Sequence, residues 1–371
     1  MPDAHPSRTR RVLIVGPSRR FLGGQAVQAE RLLRRFAGEP GVDVQFLAVD
    51  PALPGPLAAL QRIKYVRTVV TSLAYWATLL ARVPRADVIH AFSASYWSFL
   101  LAPVPAMLAG RLFGKRVYVN YRSGEARDHL TRYGHAVPLL RLAHDIVTPS
   151  GYLKDVFADF GLGATVVENF VEVDRLPHRR RTALPPHFLA NRNFEAHYDV
   201  ATVLRAFARI QRAVPHATLT VVGDGPLRAE LHALAAELSL QHVTFTGAVP
   251  PERMPQLYDA ASVYLNSPRI DNMPNSVIEA FACGLPVVTS DAGGIPYIVR
   301  DRDNGRMVAA GDDSALAAAA LALLGDPAEA LRLADAARAE CLARYTWPAV
   351  RDRWLALYGA TPAVASVPVA A

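Results

Sequence analysis

Cysteine is scarce in this chain of 371 residues: there are two, Cys283 and Cys341. That count excludes a disulfide framework and makes a reducing cytoplasm the simpler setting. No run of about 20 uninterrupted apolar residues exists, so an obvious spanning helix is excluded. The nearest candidate, residues 99–113, is broken by Pro103, Pro105 and Arg111 and is expected as a buried helix with its lead-in. The first eleven residues are polar and basic and lack the apolar core of a signal peptide. Neither HExxH nor Cys-x2-Cys occurs, so no metal box is offered and no metal is expected. Basic runs interleaved with aromatics are also missing, so nucleic acid is not an expected partner. Gly16 to Gly24 does not spell G-x-G-x-x-G, which leaves a dehydrogenase poorly supported.

What is present is apolar and mildly basic. Apolar residues make up 51% of the chain, and 40 Lys and Arg against 33 Asp and Glu give a net charge of +7. The excess suits anionic partners such as nucleotide phosphates or acidic membrane; arginine-rich surface solvation explains it equally well. The length is comfortable for two domains rather than one.

Periodicity supplies the organisation. Residues 11–16 form a short β-branched run, followed by Phe21-Leu-Gly-Gly24. A helix stripe then runs over 25–36, and a second strand over 42–48. Further strands are expected at 86–91, 116–121, 145–149 and 165–169, with a helix through Phe160 closed by Gly161. Residues 177–186 hold three arginines and three prolines, a texture that reads as a linker. A second α/β series follows, with strands expected at 217–222, 243–246, 263–266 and 285–289. The expected division is an N-terminal unit over 1–176, a linker over 177–186 and a C-terminal unit over 187–346. A last helix over 347–358 and a disordered tail over 359–371 complete it. The fold class is α/β: two Rossmann-like, doubly wound parallel-sheet domains facing across a cleft, the default place for a ligand.

The most informative stretch runs from Asn266 to Pro296. A strand ends there, and a polar loop opens a helix whose first N–H groups, at Asn275, Ser276 and Val277, can hold phosphate. Glu279 lies one turn in, where a carboxylate can accept from the vicinal hydroxyls of a ribose. The plain alternative is a capped helix with Glu279 serving the dipole. Near the N-terminus, Gly23 and Gly24 stand after strand one, where a missing Cβ admits a phosphate or an acceptor.

This stretch resembles the acidic-x7-acidic signature of family 4 of the retaining glycosyltransferases, the GT-B superfamily of glycogen synthase and the phosphatidylinositol mannosyltransferases. The likeness extends through Glu279-Ala-Phe-Ala-Cys-Gly-Leu-Pro-Val-Val and Ala292-Gly-Gly-Ile-Pro, and Asp271 stands where the family usually has Glu. The resemblance implies that Glu279 holds the donor ribose and Asp271 faces the donor sugar. Gly223-Asp-Gly225-Pro and Phe245-Thr-Gly would shape the nucleotide pocket, with main chain near Ala248 against the base. A phosphate-neutralising Arg–Lys pair of the family falls on Arg192 and His197. A neutral His brings no full charge, so either it is protonated beside phosphate or another cation compensates. Arg122, where the family often has a His, is one such cation; its plain alternative is a surface arginine.

Further along, Glu125, Arg127, Asp128 and His129 could contact an acceptor. His90 either points toward the cleft or is a hydrogen-bonded structural histidine. Helix 347–358 resembles the family's closing helix, which crosses back to the first domain. Residues 61–83, with Arg62, Lys64 and Arg67, could form a basic amphipathic helix on anionic membrane or pack on their own sheet.

The resemblance implies a metal-independent hexosyltransferase that retains anomeric configuration and takes part in cell-envelope glycan synthesis. UDP or GDP would carry the sugar as co-substrate, with no cofactor. The acceptor stays open between lipid, glycan and small molecule. The expected place is the cytoplasm, with contact at the inner face of the cell membrane left open. Two other readings remain: a nucleotide-sugar epimerase on the same fold, and a non-catalytic binding protein on a decayed scaffold.

Overall fold

The computed structural model describes residues 9–18, 20, 24–63 and 65–360. The chain divides into two compact units. Unit 1 takes in the chain up to Pro149, Leu153–Glu168 and the chain from Val350; unit 2 takes in Ser150–Tyr152 and Asn169–Ala349.

The first unit opens with β1 (Arg10–Gly16), α1 (Gly24–Phe36), β2 (Val42–Ala48), α2 (Val66–Arg82) and β3 (Val88–Ser93). Then come α3 (Trp97–Leu101), α4 (Pro103–Leu112), β4 (Arg116–Tyr121), α5 (Ala126–Arg132), α6 (Ala136–Leu140), β5 (Asp145–Thr148), α7 (Gly151–Asp159) and β6 (Thr165–Val166). The strands lie in the order β2-β1-β3-β4-β5-β6, and every adjacent pair is parallel. β3 is buried along its whole length, as a strand covered on both faces must be.

Unit 2 repeats the plan with β7 (His187–Asn191), α8 (Val200–Ala213), β8 (Thr218–Val222), α9 (Arg228–Glu237), β9 (Val243–Gly247) and α10 (Met254–Ala260). It continues with β10 (Val263–Asn266), α11 (Asn275–Ala282), β11 (Val287–Ser290), β12 (Arg306–Val308), α12 (Asp313–Gly325), α13 (Pro327–Arg344) and the start of α14 (Trp347–Tyr358). Its sheet runs β12-β11-β10-β7-β8-β9. Neighbouring strand residues face opposite sides: Phe188 and Leu265 pack in one core, Leu189 and Tyr264 in the other. The two Rossmann-like parallel sheets are as the sequence led us to expect.

Three expectations need correction. Residues 177–186, read as a linker, lie within unit 2, and the chain changes unit at Glu168–Asn169. Arg181 is the reason. It is buried and donates to the carbonyls of Tyr258, Ala261 and Cys283, each at 2.8 Å, so it caps helix C-termini inside the unit. β7, a central strand, and β12 at the edge escaped the periodicity reading. Of the expected tail, residues 361–371 lie outside the described residues, but Gly359 is placed. Its carbonyl accepts from Arg10 Nε at 3.1 Å.

Candidate functional site

In unit 2 the chain builds β7, β8 and β9 outward in one direction, then returns to place β10 on the other side of β7. The winding therefore reverses between β7 and β10. Ligands of such sheets bind beyond the carboxyl ends of the strands at that point. The loops leaving β7 and β10 carry Arg192 and Asp271.

Asp271 Oδ2 accepts from Arg192 Nη2 in a close ion pair. Arg192 Nη1 donates to Ser276 Oγ at 3.3 Å, in the first turn of α11. The guanidinium carbon lies 3.8 Å from the ring centroid of Tyr198, a cation–π contact. Burial is the largest single influence and pulls the Arg192 pKa down, but Asp271 together with Tyr198, Tyr264 and Tyr258 makes the net shift upward. Arg192 Nε, Asn191 Oδ1 and Asn266 Oδ1 are buried without a hydrogen-bond partner. Such atoms cost free energy unless something meets them, and these three stand at or just past the carboxyl ends of the two strands of the switch point.

Two glycine pairs shape the loops. A Cβ on Gly223 would lie 2.1 Å from the carbonyl oxygen of Arg192, and one on Gly225 2.7 Å from that of Phe194. On the other loop, a Cβ on Gly293 would lie 2.2 Å from Asp271 O, and one on Gly294 2.0 Å from Asn272 O. Glycine is required at both places because another backbone occupies the space. Asp199 ties the loops together: it caps α8, and its carboxylate accepts from Arg269 Nε at 2.7 Å.

α11 starts behind Pro274, which has no side-chain oxygen to cap it. Asn275 Oδ1 accepts from Asn169 Nδ2 at 3.0 Å. One turn on, Glu279 Oε2 accepts from Tyr258 Oη at 2.8 Å. Ala248 is exposed just past β9, whose Gly247 carbonyl accepts from Gly223 N at 3.0 Å.

Expected residues thus meet unevenly. Arg192, Asp271 and Ser276 come together. The His197 side chain lies 3.6 Å from Glu195, and its carbonyl accepts from Arg269 N at 2.8 Å; the ring against Arg192 is Tyr198. Sequence reasoning missed Tyr198, Asn191 and Tyr258. Tyr198 adjoins His197, and its spacing from Arg192 was the only signal available.

In unit 1, Gly24 opens α1, whose first turn holds no acidic residue; Gly23 lies outside the described residues. Arg122 follows β4 and is half-buried. Its Nη1 donates to Asn120 Oδ1 at 3.2 Å, and burial draws its pKa down to about 9. That bond turns the Asn120 amide so that Nδ2 faces His90 Nε2 at 2.8 Å. His90 Nε2 therefore accepts, and Nδ1–H donates to Tyr358 Oη at 2.6 Å. His90 is fully buried, and desolvation, then Arg122, hold its pKa down to about 3. It is a structural histidine, not one open to a ligand. His129 is likewise buried, with Nδ1 2.7 Å from Tyr121 Oη. Asp128 accepts from Tyr96 Oη at 2.6 Å.

Residues 186–326 match the family model for glycosyl transferases group 1. The chain is 33% identical over 153 residues to a GDP-mannose-dependent alpha-(1-6)-phosphatidylinositol monomannoside mannosyltransferase of Mycolicibacterium smegmatis, covering 39% of this chain and 40% of that protein. It is 29% identical over 290 residues to glycogen synthase of Mycobacterium tuberculosis, covering 74% and 69% of the two. The structure superposes on Anabaena Alr3699/HepE, solved in complex with UDP and glucose, with a TM-score of 0.74 and 18% identity over 94% of this chain and 99% of that one. The chain therefore has the GT-B fold, and its residues 186–326 are similar to the segment that glycosyl transferases of group 1 share.

Proposed function

We propose that the protein transfers a sugar from a nucleoside diphosphate sugar to an acceptor hydroxyl, with retention of configuration and without a metal ion. One observation carries the reading. A largely buried arginine at the switch point of unit 2, with Nε unmet, stands beside the first turn of α11 and donates to Ser276 there. Fixed positive charge beside a helix N-terminus is what a leaving diphosphate needs. Arg192 and the start of α11, through Asn275 and Ser276, would take the phosphates. Asp271 would face the donor sugar, Glu279 the ribose and main chain near Ala248 the base. Gly223 and Gly225 keep the loops in place for this. His197 is proposed as a further cation toward the diphosphate; Gly24 and Arg122 remain candidates that the sequence offers in unit 1. As the bond from the anomeric carbon to the phosphate oxygen breaks, that oxygen would accept the acceptor's hydroxyl proton. The names of the similar proteins, with GDP-mannose in one and UDP with glucose in another, support UDP or GDP as carrier.

The test is incubation with UDP-, GDP- and ADP-sugars and candidate acceptors, following nucleoside diphosphate release and sugar transfer. Acceptor-dependent release that Arg192→Ala abolishes is expected. Interconversion of free nucleotide sugars without acceptor would favour the epimerase, and binding without turnover the decayed scaffold.

A second observation favours a lipid acceptor. On α2 only Tyr75 and Leu79 are buried. Val66, Val69, Leu73, Trp76 and Leu80 are all exposed large apolar residues, spaced three and four apart along one helix face. Arg62 and Arg67 stand exposed at the same end. An apolar stripe edged with arginine fits an anionic membrane surface at the cytoplasmic face. Among the described residues, no single helix is long and apolar enough to cross a membrane. Co-sedimentation with phosphatidylglycerol vesicles, lost in Leu73→Glu, is expected; no pelleting of the wild type ends this part of the proposal.

A further inference from the structure

Tyr258 sits on α10, fully buried, between the two parts of the site that the sequence treats separately. Its hydroxyl oxygen accepts from Asn191 Nδ2 at 2.9 Å, at the carboxyl end of β7. Its one proton has two acceptors in reach, Glu279 Oε2 at 2.8 Å and Ser276 O at 3.4 Å. The nearer, charged oxygen takes it. Burial first, and then the Glu279 charge, hold the phenol pKa well above its usual value, so Tyr258 stays a donor at any working pH. Asn191 spends Nδ2 on Tyr258, while its Oδ1 is buried without a partner.

We infer that Tyr258 is a positioning residue: through its hydrogen bond it fixes the rotation of the Glu279 carboxylate, and so sets recognition of a ligand's vicinal hydroxyls there. The inference rests on the proposed nucleotide site and gives that site a specificity element, the choice of ribose over deoxyribose. A carboxylate free to rotate loses orientation toward two adjacent hydroxyls, whereas one held at Oε2 keeps it. Asn191 supports the phenol from behind and leaves its own carbonyl oxygen unmet on the same side of β7.

The experiment is calorimetric titration of the full chain with the preferred ribonucleoside diphosphate and with its 2′-deoxy analogue. The wild type is expected to prefer the ribonucleotide. In Tyr258→Phe the ribonucleotide affinity falls about tenfold, as loss of one charge-assisted hydrogen bond gives, and the deoxy affinity stays within about twofold. Asn191→Ala shifts the ratio the same way by less, and serves if the phenylalanine variant fails to fold. A wild-type preference that survives both substitutions overturns the role of Tyr258 and leaves the nucleotide site standing. Equal wild-type affinity for the two nucleotides overturns recognition of vicinal hydroxyls at Glu279 and with it the role of Tyr258, and affinity for neither overturns the nucleotide site itself.

Discussion

The two units share a plan, and the polar side chains around their central strands are met differently, although unit 1 also leaves Trp354 Nε1 unmet. In unit 1 they close on one another: Arg122 on Asn120, Asn120 on His90, His90 on Tyr358. In unit 2 the polar groups at the switch point leave Asn191 Oδ1, Arg192 Nε and Asn266 Oδ1 unmet. Closed networks rigidify a fold, whereas unmet ones mark where a ligand completes the structure. That difference is the reason the proposed donor site is placed in unit 2.

The comparison can be broken from either side. In unit 1 the largest effect is expected for Trp354→Ala, which removes the ring stacked 4.7 Å from His90. A loss of about 3–5 kcal/mol is expected, read as a lowered Tm. In unit 2, Arg192→Ala removes the cation paired with the largely buried Asp271 carboxylate. About 3 kcal/mol of stability is expected to go, together with measurable nucleoside diphosphate binding.

A smaller effect separates the units by pH. His90 stays neutral when folded, with its pKa near 3, against 6.5 for the unperturbed group. Between those values the unfolded chain binds the extra proton, so the stability present above pH 6.5 is lost as pH falls toward 3. The slope is at most about 1.4 kcal/mol per pH unit. Thermal melts at pH 7 and pH 5 should show the drop, and His90→Gln should flatten it. The smallest effect is His197→Lys, which places a full charge beside the site. Nucleoside diphosphate affinity is expected to rise about two- to threefold, as a half-exposed charge allows; a fall would show that His197 acts through its ring.

How much the sequence disclosed follows the range of each interaction. β2 and α14 were legible to the residue because each is a local pattern. Asp271, Ser276 and Glu279 could be singled out because one loop and one helix carry them in a stretch that resembles a family signature. β7 was not, being five residues with a short apolar centre behind two prolines, although it stands in the middle of its sheet. Arg181 looked like a solvated linker arginine, since the carbonyls it caps lie some 80 to 100 residues away. Tyr258 was hidden for the same reason: its partners Asn191 and Glu279 lie 67 and 21 positions off. His90 was placed on its strand, but its burial depended on Trp354 and Tyr358 at the far end of the chain.

The central claim is that unit 2 holds a nucleoside diphosphate. Calorimetric titration with UDP, GDP, ADP and NAD, on wild type and on Glu279→Ala, tests it most directly. Tight binding of one nucleoside diphosphate, weakened about tenfold or more by the substitution, is the predicted result and names the base. No binding of any of the four to the folded protein would contradict it.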